Sequence, residues 1–138
     1  MSTLVIDAQP MVALIAGEPS ASRIRERVRA CRRDDGRLVM CSVNWAELLY
    51  ICRRRLGEAA TLEVVRLTRL LPLAVVSADA DLATYAAEIK ARQALSLGDA
   101  FAAGLALAAE APLLTGDADF LPLAEHGLAL EWVGADAV

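Results

Sequence analysis

The sequence predicts an α/β protein built on a parallel sheet. Short apolar runs alternate with stretches of helical periodicity, the runs lack the strict apolar–polar alternation of a half-exposed strand, and no linker, repeat or low-complexity tract divides the 138 residues. Runs of this kind suit strands covered by helices on both faces. A chain of this length fits one domain, residues 1–138, which on folding should bury roughly two thirds of the surface its unfolded chain exposes.

The elements follow in order. TLVID (3–7) is the first expected strand. A short helix should open at Pro10, because proline suits a first helical position where the missing N–H costs nothing. An arginine-rich helix starts from Ser20, and LVMCS (38–42) forms the second strand. In the helix expected from Asn44, Trp45, Leu49, Cys52 and Leu56 recur at steps of four, three and four, an apolar stripe that should face the sheet. A further helix begins at Gly57, followed by strand LAVVS (73–77) and a helix from Ala78. The next helix, from about Leu97, contains AFAAGLALAA between Asp99 and Glu110 and reads as buried. PLLT (112–115), a short helix after Asp119 and LEWV (130–133) complete the pattern. In such a parallel sheet the ligand crevice lies beyond the carboxyl ends of the strands, near the topological switch.

Composition excludes several classes. Hydrophobic residues make up 57% and charged residues 23%, yet the uncharged segments fall short of the ~18 to 20 residues that a spanning helix needs. MSTLVIDAQP has no basic residue before its apolar run and an acid within it, unlike a signal peptide; a cytoplasmic protein without membrane contact is expected. Cys31, Cys41 and Cys52 show no C-x-x-C spacing, so neither a disulfide framework nor a zinc site is indicated. The net charge of −4 conceals an asymmetry, with residues 1–69 at +4 and residues 70–138 at −8. Seven arginines lie between Arg23 and Arg37, a face either solvated or offered to phosphate or a partner.

The acids hold the chemistry. Asp7 ends the first strand, Glu47 lies in the first turn of the helix leaving the second, Asp99 starts the helix before the fourth, and Asp117 follows that strand. A parallel sheet should bring all four to one rim. Each has a bland alternative: Asn44 with Glu47, and Ser96 with Asp99, match a capping box, while Asp117 and Asp119 suit a turn. Asp7 is harder to explain so, because a buried acid is costly unless it is hydrogen-bonded or bound to a cation. No local cation answers the group, since residues three and four beyond Glu47 are Tyr50 and Ile51, and those beyond Asp99 are Ala102 and Ala103. Two carboxylates about 4 Å apart repel by roughly 4 kcal/mol at an effective dielectric of 20. A divalent ion relieves that repulsion, and ligands that are all oxygen suit Mg²⁺ or Mn²⁺. A hard ion among carboxylates is fitted to phosphodiester hydrolysis. His126, near the end of a short helix, reads as a surface or capping residue.

LVIDAQPMVALI, SVNWAELLY, LSLGDAFAAGLALA and LLTGDADF resemble, in order and spacing, the four acidic motifs of PIN-domain ribonucleases, and the small form resembles VapC-type toxins. The match runs from Leu4 to about Phe120, nearly the whole chain. The resemblance implies a PIN-like, Rossmann-like three-layer α/β/α fold with a parallel sheet of four to five strands in order 3-2-1-4-5. It implies Asp7 and Asp99 as principal Mg²⁺ (or Mn²⁺) ligands, with Glu47 and Asp117 completing a catalytic and metal-binding set. Thr115 and Asp119 match supporting positions. It further implies cleavage of RNA, homodimerisation and silencing by a cognate antitoxin. Family members commonly carry Ser or Thr one or two places after the first Asp; here Ala8 and Gln9 stand there, and Gln9 can offer a hydrogen bond instead. Arg53, Arg54 and Arg55, near the Glu47 helix, are candidates for RNA or antitoxin contact.

Two other carboxylate-based phosphate chemistries fit poorly. A haloacid-dehalogenase-type phosphatase needs a second Asp where Gln9 stands, and a receiver-type domain needs a late Lys, whereas the only lysine is Lys90. The rival from another class is a PIN-like binding or dimerisation module of weak or no activity, with its acids kept as caps. Metal binding separates the two.

Overall fold

In a computed structural model that describes residues 2–71 and 73–134, five strands form one parallel sheet. They are β1 (Thr3–Ile6), β2 (Arg37–Cys41), β3 (Ala74–Val76), β4 (Leu113–Thr115) and β5 (Leu130–Trp132), in the order β3-β2-β1-β4-β5. That is the order expected from the family resemblance. Asp136 of the acidic half lies outside the described residues.

The pleat sorts side chains between two cores, since successive residues of a strand point to opposite faces. Leu4, Ile6, Leu38, Met40 and Leu114 enter one core. Val5, Val39, Cys41 and Leu113 enter the other. The first core is covered by α1 (Ala8–Ala16), α2 (Ala21–Arg33), α3 (Ser42–Leu56) and α4 (Glu58–Leu70). The second is covered by α5 (Ala80–Arg92), α6 (Leu97–Ala108) and a 3₁₀ helix, Ala118–His126. The result is the three-layer α/β/α arrangement. No helix of the described residues is long and apolar enough to cross a membrane.

The helix boundaries differ from expectation in instructive ways. The first helix begins at Ala8, capped by Asp7, so Pro10 is the third helical residue. Every N–H of a first turn lacks an intrahelical acceptor, so proline is tolerated throughout it and does not mark its first position. The third helix begins at Ser42 rather than Asn44, because Cys41 already has extended backbone and takes the cap position. Asn44 is therefore inside the helix, and the capping box proposed for it does not form.

The buried stripe is also offset from the expected one. Asn44, Leu48 and Cys52 are the buried residues of α3, whereas Trp45 and Leu49 are half-buried and Leu56 is 41% exposed. The helix expected at Ala78 starts at Ala80 behind the cap Asp79, and the last one starts at Ala118 behind Asp117.

Helix α6 follows the sequence closely. Ser96 caps it, accepting the Asp99 N–H at 3.1 Å, and every residue from Gly98 to Ala106 is buried. Small side chains let it pass close to both α5 and the central strands β1, β2 and β4, consistent with the packing rule that volume and shape must match.

Candidate metal centre

Strand order reverses at β1, whose neighbours are β2 and β4. The crevice of a parallel sheet opens at that reversal, outside the carboxyl ends of the two strands. Asp7 is the residue after β1, and Asp117 stands two residues after β4.

Asp7 is 3% exposed. Its Oδ1 accepts the Ala8 N–H at 2.8 Å and its Oδ2 accepts the Thr115 hydroxyl at 3.0 Å. Thr115, fully buried, accepts in turn the Asp117 N–H at 3.0 Å. One hydroxyl thus ties the ends of β1 and β4 together. Asp117 caps the 3₁₀ helix, its Oδ1 accepting the Asp119 N–H at 2.9 Å. Asp99 enters from the first turn of α6, 8% exposed. One carboxylate oxygen from each of Asp7, Asp99 and Asp117 lies within 4.8 Å of the others.

Glu47 stands at the edge of this trio. It lines the same cleft, of about 180 Å³. Its Oε1 accepts from Asn44 Nδ2 at 2.9 Å, and the same Nδ2 donates to the Gly98 carbonyl at 3.0 Å. A Cβ on Gly98 would come within 2.4 Å of the Glu47 carboxylate. Asn44 and Gly98 together hold Glu47 against the turn that carries Asp99. Neither stands out from sequence as a site residue: Asn44 reads as a cap, and the available signal is a glycine placed early in a helix, where it costs about 1 kcal/mol relative to alanine.

The other expected site residues divide. Gln9 lines the cleft, but its Oε1 accepts the Gly116 N–H at 2.8 Å, so the carboxamide braces the loop after β4. Asp119 is exposed and outside the trio. Of the three arginines, only Arg55 lines the cleft, paired with Glu18 at 3.3 Å. Arg53 pairs with Glu58, and Arg54 sits 5.3 Å above the Tyr50 ring. In the α2 arginine set, Arg27 pairs with Glu131, Arg23 donates to the Val133 and Gly134 carbonyls, and Arg32 donates to that of Leu70. Part of that face is thus engaged with the protein itself.

None of Asp7, Glu47, Asp99 and Asp117 joins an ion pair among the described residues. The electrostatic consequence is visible in the acidities of Asp7 and Asp99. Burial, then the Asp99 charge, push Asp7 up to about 7, with Glu47 adding to the rise, against the Thr115 and Ala8 hydrogen bonds. Burial, then Asp117, push Asp99 up to about 6, with Glu47 and Asp119 adding, against the Ser96 hydrogen bond. The site resists its own negative charge. The donors of the trio are all carboxylate oxygens, the chemistry of a hard divalent ion, and their spacing is near what one ion with metal–oxygen distances of roughly 2.0–2.6 Å would gather. A second cleft of about 260 Å³ between α5, α6 and the 3₁₀ helix has no such convergence.

A family model described as "PIN domain" matches residues 4–125. No curated protein matches the chain significantly. Among solved structures, the chain is similar to VapBC2 from Rickettsia felis bound to a promoter DNA fragment, at TM-score 0.76 and 18% identity over 94% of this chain and 97% of that one. It is also similar to DNA-bound VapBC from Salmonella typhimurium, at TM-score 0.74 and 24% identity over 96% and 99%. A third likeness is to Mycobacterium tuberculosis VapC20, described as a sarcin-ricin loop cleaving toxin, at 0.73 and 20% over 91% and 96%. At these identities the likeness speaks for the fold.

Proposed function

The chain belongs to the PIN domain family, and from that membership we propose that it is a metal-dependent endoribonuclease, the VapC-type toxin of a toxin–antitoxin pair. The observation that carries the proposal is the gathering of three aspartates from distant segments within 4.8 Å, with no cation paired to them among the described residues. Asp7, Asp99 and Asp117 would hold Mg²⁺ or Mn²⁺, with Glu47 beside them. A bound divalent ion supplies charge neutralisation on the phosphate and lowers the pKa of water.

The residues of the chain do the rest. Thr115 fixes the Asp7 carboxylate by donating to its Oδ2. Asn44 occupies Glu47 Oε1 and so leaves Oε2 to orient the attacking water and accept its proton. Water oxygen bonds to phosphorus as the bridging P–O bond to the neighbouring ribose breaks, and the ribose oxygen leaves with that electron pair and takes a proton from solvent. Ala8, Val12 and Ile51 form an apolar wall that limits bulk water on one side of the cleft.

A cytoplasmic location, a cognate antitoxin and a homodimer accompany this reading. The antitoxin is supported by structural relatives solved as VapBC complexes. A second copy is supported by large apolar side chains exposed on α3 and α4, with Tyr50 at 47% and Leu62 at 73%, since such side chains when grouped mark association surfaces.

The test is cleavage of total RNA with and without Mg²⁺ by the wild type and Asp99→Asn. Fragmentation that needs the metal and falls at least 100-fold in the variant supports the proposal. Cleavage at undiminished rate by Asp99→Asn refutes it. Metal binding with no cleavage under any condition would favour the inactive binding-module reading.

A further inference from the structure

The acidic cleft is lined by five carboxylates (Asp7, Glu18, Glu47, Asp99 and Asp117) and by one cationic side chain among the described residues, Arg55. Even one bound divalent ion would leave negative charge in excess, so a polyanionic strand needs a further positive contact to enter. Glu47, Ile51 and Arg55 stand one turn apart on α3 and line the cleft in that order. Arg55 therefore lies roughly 12 Å along the helix axis from Glu47, and helical side chains lean back towards the N-terminus, here towards the acids. A phosphate it held would be a neighbour of the scissile one.

The existing partner of Arg55 is poorly suited to keep it. Glu18, just beyond the αL residue Gly17 that ends α1, makes a single contact of 3.3 Å, with the two side chains 34% and 55% exposed. Exposed one-point pairs are weak. A phosphate can take two parallel N–H donors from the guanidinium fork, a stronger geometry. Arg53 and Arg54 lack a place in the cleft and cannot substitute.

Resting on the nuclease reading, we propose that Arg55 anchors a phosphate of the RNA strand beside the cleavage site, and that Glu18 holds Arg55 in the free protein and is displaced when the strand binds. Arg55 is a positioning residue, and Glu18 an internal competitor that lowers affinity for any polyanion making too few contacts.

The experiment measures fluorescence anisotropy of a labelled single-stranded phosphorothioate RNA 12-mer of randomised sequence, in Mg²⁺, across a salt series. Arg55→Ala should weaken binding roughly tenfold and reduce the slope of log K against log salt by about 0.7, one single-strand phosphate contact. Arg55→Lys should keep most of the slope while losing part of the affinity, because the charge remains without the fork. Glu18→Gln should tighten binding roughly two- to fivefold. In total-RNA cleavage, Arg55→Ala should raise KM and leave kcat within about twofold. Both residues are at the surface, and thermal melting checks that each variant is folded.

Unchanged affinity and salt slope in Arg55→Ala overturn the anchor. Weakened binding in Glu18→Gln overturns the displacement, and no measurable binding by the wild type overturns both. If the wild type binds RNA through Arg55 but never cleaves it, the anchor stands and the nuclease reading falls.

Discussion

The Thr115 hydroxyl donates to Asp7 and accepts from the Asp117 backbone, so two of the proposed ligand positions depend on one oxygen. Thr115→Val keeps the shape and removes that oxygen. Mn²⁺ affinity, read by calorimetric titration, should fall about 10- to 100-fold, as is typical when a partner of a metal ligand is lost; an unchanged affinity would show that Asp7 is held by its surroundings alone. Acidity is the second property at this scale. Asp7 is raised from 3.8 to about 7 and Asp99 to about 6, so the folded protein binds these protons more tightly than the unfolded chain. Their contribution to stability is fully present below about pH 3.8 and is lost as pH rises to about 7. In EDTA, urea denaturation should therefore show the wild type losing stability relative to Asp7→Asn between pH 4 and 7.5, by on the order of a few kcal/mol. Parallel profiles for the two proteins would contradict the buried, uncompensated Asp7. Added Mn²⁺ should reverse the trend, because ligand carboxylates must be ionised to bind it.

At the scale of elements, the site is where the first two turns of α3 meet the first turn of α6. Gly98 gives the Glu47 carboxylate its room, and Asn44 bridges the two turns. Gly98→Ala would gain up to about 1 kcal/mol of helix propensity, and the atoms in its way are the movable end of a side chain. Stability measured by thermal melting should therefore hold or rise, while RNA cleavage should fall at least tenfold because Glu47 is driven from its place. Retained cleavage would remove Glu47 from the mechanism. Asn44→Ala should instead destabilise by about 1 kcal/mol in urea denaturation, since the Gly98 carbonyl and the Glu47 carboxylate each lose the hydrogen bond that Asn44 Nδ2 donates. The sequence made the Ser96 cap and the buried α6 legible, because an apolar run bounded by acids has few other solutions. It hid the role of Asn44. An Asn three residues before a Glu reads as a cap until the true helix start, two residues earlier at Ser42, is known.

At the scale of the molecule, topology does what no local pattern could. The strands were readable as apolar runs, but their order entered through the family resemblance, and only that order makes β1 and β4 neighbours and turns Asp7 and Asp117 into one rim. Contacts without local signature stayed invisible for the same reason: Arg55 meets Glu18 across 37 positions, and Arg27 of the basic half meets Glu131 of the acidic half. The charge asymmetry between halves is thus bridged in part by α2 leaning on the end of β5. What the sequence did convey was the excess of acids over nearby cations, which is a statement about the whole fold once two strand ends and two helices deliver them to one place. The most direct test of that statement is the stoichiometry of Mn²⁺ binding, counted by calorimetry or electron paramagnetic resonance. The wild type should bind at least one ion in the cleft, and Asp7→Asn and Asp99→Asn should each lose that ion while remaining folded; equal binding by wild type and both variants would contradict a carboxylate metal centre at the switch of the sheet.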